Sequence, residues 1–83
     1  MTEVRLLTPP TNYAIVHLPE RAFPGVVFQG DSLSILIGEL ECAIAETDAT
    51  EQAEAFEEIM ERLRAVRTRY ETVLKEAGIG LPY

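Results

Sequence analysis

Residues 26–46 read VVFQGDSLSILIGELECAIAE, and a change of rhythm inside them decides the fold. Val26, Val27 and Phe28 are β-branched or aromatic and suit a short strand. From Leu33 onward the apolar positions are Leu33, Leu36, Ile37, Leu40 and Ile44, spaced three, one, three and four apart. That is helical spacing. Between the two rhythms lies Gln29-Gly30-Asp31-Ser32. Ser32 reads as the helix N-cap, Asp31 suits the positive helix end, and Gly30 frees the chain to turn. The stretch therefore reads as a strand-to-helix corner. It opens a first helix over residues 32–47 whose Leu/Ile stripe is expected on a sheet.

Upstream, EVRLL (3–7) and YAIVHL (13–18) join VVFQ (26–29) as strand candidates. The two prolines of TPPTN (8–12) cannot continue a ladder. PERAFPG (19–25) ends in Pro24-Gly25, a pair suited to a type II turn. Connections this short favour antiparallel pairing. In the middle run Ala14, Val16 and Leu18 share one face, and Tyr13, Ile15 and His17 the other. Both faces are largely apolar, so the strand is expected to be central, with a helix on one side and room for a second partner on the other.

Downstream, Asp48 with Glu51 three residues later resembles a capping box. It opens a second helix over 49–77, with Gly78 placed to end it. Phe56, Ile59, Leu63, Val66, Tyr70, Val73 and Ala77 alternate at spacings of three and four, a heptad seam. A helix this long spans ~43 Å, whereas a compact chain of this size is roughly 30 Å across. It must project, bend, or lie along a second copy. Residues 51–61 carry five glutamates and no base, and residues 62–69 carry four arginines and no acid. This order suits the helix dipole and an antiparallel self-pair. GIGLPY (78–83) reads as an extended strap. The expectation is a single α+β domain over 1–83: a three-stranded antiparallel sheet (3–29) packed by one amphipathic helix, then a long heptad-patterned second helix.

Composition narrows the function. With 83 residues the core is small, and such domains often need a disulfide, a metal or oligomerisation. One cysteine permits no internal disulfide, and one histidine without a cysteine partner makes no zinc set. Oligomerisation remains. A net charge of −7 argues against nucleic acid, which draws clustered Lys and Arg, and favours a basic protein partner. No apolar run approaches a membrane span. MTEVRLLTPPTNY has no apolar h-region before its prolines. A cytoplasmic protein without cofactor or metal is expected. Glu54, Glu57, Glu58 and Glu61 read as fanning around the helix, a solvated acidic face rather than a metal site.

The letters GDSL at 30–33 resemble the nucleophile block of the GDSL esterases. That resemblance implies a catalytic Ser32. A serine nucleophile needs a base and oxyanion donors, but no histidine follows Ser32 and the sole asparagine is Asn12. His17 reads either as a general base on a strand or as an ordinary sheet-face residue. Cys42, flanked in sequence by Glu39, Glu41 and Glu46, reads as a semi-buried, unreactive thiol.

A second resemblance covers residues 13–46. Phe23-Pro24-Gly25, Gly30-Asp31-Ser32, Leu33 and Ala43, with the closing LKEAGIGLP (74–82), are similar to the N-terminal domain of HicB-type antitoxins. The resemblance implies that family's partial RNase H-like fold and a toxin-blocking role. Ile35 stands where that pattern usually has a glutamate, and no helix-turn-helix segment is visible, so autorepression is not implied. The core FPGVVFQGDSLS is also similar to a small bacterial family of unknown function.

The leading expectation is a small acidic, non-enzymatic binding protein of antitoxin or immunity type that masks a basic partner. Glu51, Glu54, Glu57, Glu58 and Glu61 are the candidate partner-binding residues. Ile59, Leu63, Val66 and Tyr70 are the candidates for homodimerisation. The alternatives are a self-assembling structural module and a small serine hydrolase.

Overall fold

The computed structural model describes residues 3–83. Strands β1 (Arg5–Leu6), β2 (Ile15–His17) and β3 (Gly25–Val26) form an antiparallel sheet in the order β1-β2-β3. Helices α1 (Gly30–Ala45) and α2 (Ala49–Glu76) follow. The α+β arrangement expected from the sequence is present, with a central β2 and a long second helix.

The strands are shorter than their apolar runs for local reasons. Pro9 cannot donate to a ladder, so the buried Thr8 takes over: its Oγ1 accepts from the Ile15 N–H at 3.0 Å, beyond the Leu7 N–H to Ile15 O bond of 2.9 Å. Tyr13 sits at φ 61°, a left-handed conformation that a strand does not accommodate. Asn12 Oδ1 accepts its N–H at 3.1 Å, and its ring meets Phe28 edge-on at 5.2 Å. The type II turn expected at Pro24-Gly25 does not form. Gly25 has already entered β3, and the left-handed residue of that connection is Glu20, at φ 64°.

Pairing places Ile15 opposite Val26 and Arg5 opposite His17, so Leu7, Ile15 and Val26 share the inner face. That face is covered by α2, not by α1 as expected. Ile15 and Leu74 are fully buried, with Tyr70 beside them and Leu7, Val26, Val73 and Ile79 packed around. The Tyr70 hydroxyl donates to the Pro24 carbonyl at 2.7 Å. Helix α1 packs instead along the N-terminal half of α2, where Ala43 and Ile59 are buried. The reason is residue size. Tyr70 and Leu74 fill the inner face of the small sheet, and α1 packs on α2 through the small, buried Ala43.

Helix α2 is one unbroken helix of 28 residues. It ends in a Schellman turn: the Ile79 N–H bonds the Leu74 carbonyl at 2.9 Å, the Gly78 N–H bonds the Lys75 carbonyl at 3.1 Å, and Gly78 adopts φ 71°. The outcome of the length argument is projection. The molecule measures 51 × 23 × 20 Å, with a radius of gyration of 15.7 Å against about 12 Å for a compact chain of this length.

Two measurements check this core. Leu74→Ala is expected to cost about 2–5 kcal/mol, read by urea unfolding. Tyr70→Phe leaves the Pro24 carbonyl unpaired and is expected to cost about 1–2 kcal/mol. Burial raises the Tyr70 hydroxyl above its ordinary value, so its contribution is intact below the unfolded value near pH 10 and is lost as pH rises through the folded one. Tyr70→Phe should therefore lose stability less steeply in that alkaline window.

Candidate functional site

The corner between the helices is built by three side chains. Asp48 caps α2, its Oδ1 accepting from the Thr50 N–H at 2.9 Å and the Glu51 N–H at 3.0 Å. The reciprocal half of the capping box is missing, because the Asp48 N–H goes to Glu46 Oε1 at 3.0 Å, which leaves the Glu51 carboxylate outside the cap. Gln52 Nε2 donates to the Ala43 carbonyl at 2.9 Å and reaches those of Ile44 and Glu46 at 3.4 Å. It thereby adds a donor at the carbonyl end of α1, where the Ala43 carbonyl also accepts from the Glu46 N–H at 3.3 Å. Glu39 and Arg62 form an ion pair that ties the two helices together.

A groove of about 690 Å³ runs between these helices. Ala43, Ala55 and Ile59 give it an apolar base, and Glu39, Glu46, Glu51 and Glu58 line it. Arg62 is the cation among its lining residues, and Glu39 already holds it. Next to it, Glu54, Glu57, Glu58 and Glu61 line a shallower depression of about 320 Å³. The glutamates do not fan around the helix as the sequence reading had it. Spacings of three, one and three put 54, 57, 58 and 61 on one face, within about 100°. All five candidate glutamates, Glu51 included, are exposed. Glu57 pairs with Arg64 at 2.9 Å; among the described residues the other four form no ion pair. No group of His, Cys, Asp and Glu among the described residues is placed to hold a metal.

Two of the four residues expected to pair with a second copy are buried inside the chain. Ile59 is buried against α1, and Tyr70 is buried under the sheet. Leu63 and Val66 are half-buried, lining an apolar groove of about 380 Å³ with Val26, Phe28 and Pro82. At Ile59 and Tyr70 the heptad spacing marks an interface within the chain.

Ser32 is not the N-cap. Helix α1 begins at Gly30 after Gln29, whose side chain makes no capping bond, so Ser32 is the third helical residue. Its Oγ accepts from Asn12 Nδ2 at 2.7 Å, tying the β1–β2 loop to α1. His17 Nε2 lies 2.7 Å from the Arg21 carbonyl and donates to it. The serine and the histidine are therefore engaged with different partners and form no nucleophile–base pair. Cys42 is exposed on the groove rather than semi-buried.

The match to a family model settles the relationship. The chain belongs to the DUF6959 family. The model spans residues 1–83, and its description is a family of unknown function. Comparison with curated proteins and with solved structures gave no match. For this DUF6959 chain the QGDSLS corner is accounted for by the Asn12–Ser32 tether. Ser32→Ala is expected to cost about 1 kcal/mol in urea unfolding, with α2 unaffected by circular dichroism.

Proposed function

We propose that this protein is a non-enzymatic binding module whose acidic α2 face takes a basic protein surface, and that it acts as antitoxins and immunity proteins do, by masking that partner. The observation that carries the reading is the single-face array of Glu54, Glu57, Glu58 and Glu61. Like charges at i,i+4, here Glu54–Glu58 and Glu57–Glu61, each destabilise a helix by about 0.2–0.5 kcal/mol. The helix dipole offsets this only in the first turn. A basic partner would relieve the repulsion, and the net charge of −7 would steer it in. The groove beside the array, with its apolar base and Glu51 and Glu58 on its lining, suits a Lys- or Arg-bearing side chain with an apolar stem. The similarity of residues 13–46 to HicB-type antitoxins supports the masking role. No helix among the described residues is long and apolar enough to cross a membrane, and a cytoplasmic setting is part of this proposal.

The test is affinity capture from the native host with the wild type and with Glu54→Gln/Glu57→Gln/Glu58→Gln/Glu61→Gln. The wild type should retain a basic protein that elutes with rising salt, and the substituted protein should bind it at least tenfold more weakly. Equal capture by both would refute the acidic face as the binding surface.

A further inference from the structure

Arg62 stands between two carboxylates. One is Glu39 on α1, which it meets across the groove: Nη1 donates to Oε1 at 3.1 Å and Nη2 to Oε2. The other is Glu58, one turn back on its own helix. Residues four apart lie about 40° from each other around a helix, and a glutamate four positions before a base is the favourable order for a pair. Within the acidic array Glu58 alone has a base at that position. The residues four beyond Glu54, Glu57 and Glu61 are Glu58, Glu61 and Ala65. Arg62 nevertheless pairs with Glu39 and leaves Glu58 without an ion pair.

Helix packing explains the choice. Ala43 and Ile59 are buried where α1 meets α2. The contacts of Gln52 with Ala43 and of Arg62 with Glu39 run in opposite directions along the two helices. Glu39, one turn before Ala43, therefore comes opposite Arg62, about one turn beyond Ile59. The forked contact engages both oxygens of the Glu39 carboxylate, the strong geometry for a guanidinium.

We infer that Glu39 is a positioning residue for the acidic face: it draws Arg62 across the groove and so leaves the Glu58 carboxylate open to a basic partner. The inference rests on the binding role proposed above for that face. Released from Glu39, Arg62 turns back to Glu58 and neutralises it, as Arg64 already neutralises Glu57 at 2.9 Å. The array then offers only Glu54 and Glu61 as unpaired charges. Glu58 also lines both the groove and the acidic depression beside it, so neutralising it separates the two parts of the surface. The side chains of Arg62 and Glu39 are 56% and 36% exposed. A pair this exposed is held weakly, and one substitution is enough to redirect Arg62.

The experiment is a double-mutant cycle on Glu39 and Arg62. Octalysine serves as the basic probe, and calorimetry reads its binding at about 0.15 M salt, where distant charges are screened. Glu39→Gln should weaken binding about threefold. Arg62→Gln should tighten binding about threefold in the Glu39→Gln background, and much less where Glu39 is present. Glu41→Gln removes the same charge from an exposed α1 position outside the groove lining, and should weaken binding less than Glu39→Gln. Circular dichroism checks that each variant keeps its helices. Equal effects of Arg62→Gln in the two backgrounds, or a loss with Glu41→Gln as large as with Glu39→Gln, would overturn the inference. The quadruple glutamine variant of the acidic face separates this from the binding role itself. If it loses octalysine while the cycle is additive, only the part assigned to Glu39 fails. If it binds octalysine as the wild type does, both fail.

Discussion

The contact of Ile15 with Tyr70 and Leu74 is what the rest of the molecule depends on. Strands of two or three residues cannot form a stable sheet in water by themselves. They persist because the C-terminal half of α2 lies on their inner face and the Tyr70 hydroxyl reaches the Pro24 carbonyl. That contact couples positions more than forty residues apart in the chain and fixes the rotation of α2 about its axis. Once the rotation is set, the face carrying Ile59 turns to α1, and the glutamate face turns to solvent.

One helix thus serves two layers. Its C-terminal half covers the sheet, and its N-terminal half receives α1. The 28 residues are longer than either task requires, which is why the molecule is elongated rather than spherical. Asp48, Glu46 and Gln52 hold the connection between the helices by satisfying backbone groups at both helix ends. The acidic groove follows from that corner, because it lies where the two helix axes come together with small residues between them.

Much of this was legible in the sequence. Three short apolar runs between turn residues, then two helical periods, were enough for the α+β class, the antiparallel sheet and the limits of α2. Asp48 and Gly78 signalled those limits correctly because caps are local chemistry. Errors of up to three residues arose where local conformation overrode pattern. Tyr13 is left-handed, and Gln29 rather than Ser32 precedes the first helical turn. The glutamates were identified as exposed but were misread as dispersed, although their spacing of three, one and three already put them on one face.

What the sequence by itself determined is which residues are apolar, at what period, and where each element ends, because these depend on neighbours a few positions away. It could not determine which apolar stripe meets which surface. Two helices each carried a stripe fit for the same sheet, and periodicity does not distinguish them. The tertiary structure decided between them by volume. Tyr70 and Leu74 fill the inner sheet face, while α1 packs on α2 through the small Ala43. Ile59 and Tyr70 of the α2 seam were therefore buried inside the chain, and Leu33, Ile37 and Ile44 of the α1 stripe were left on the outside.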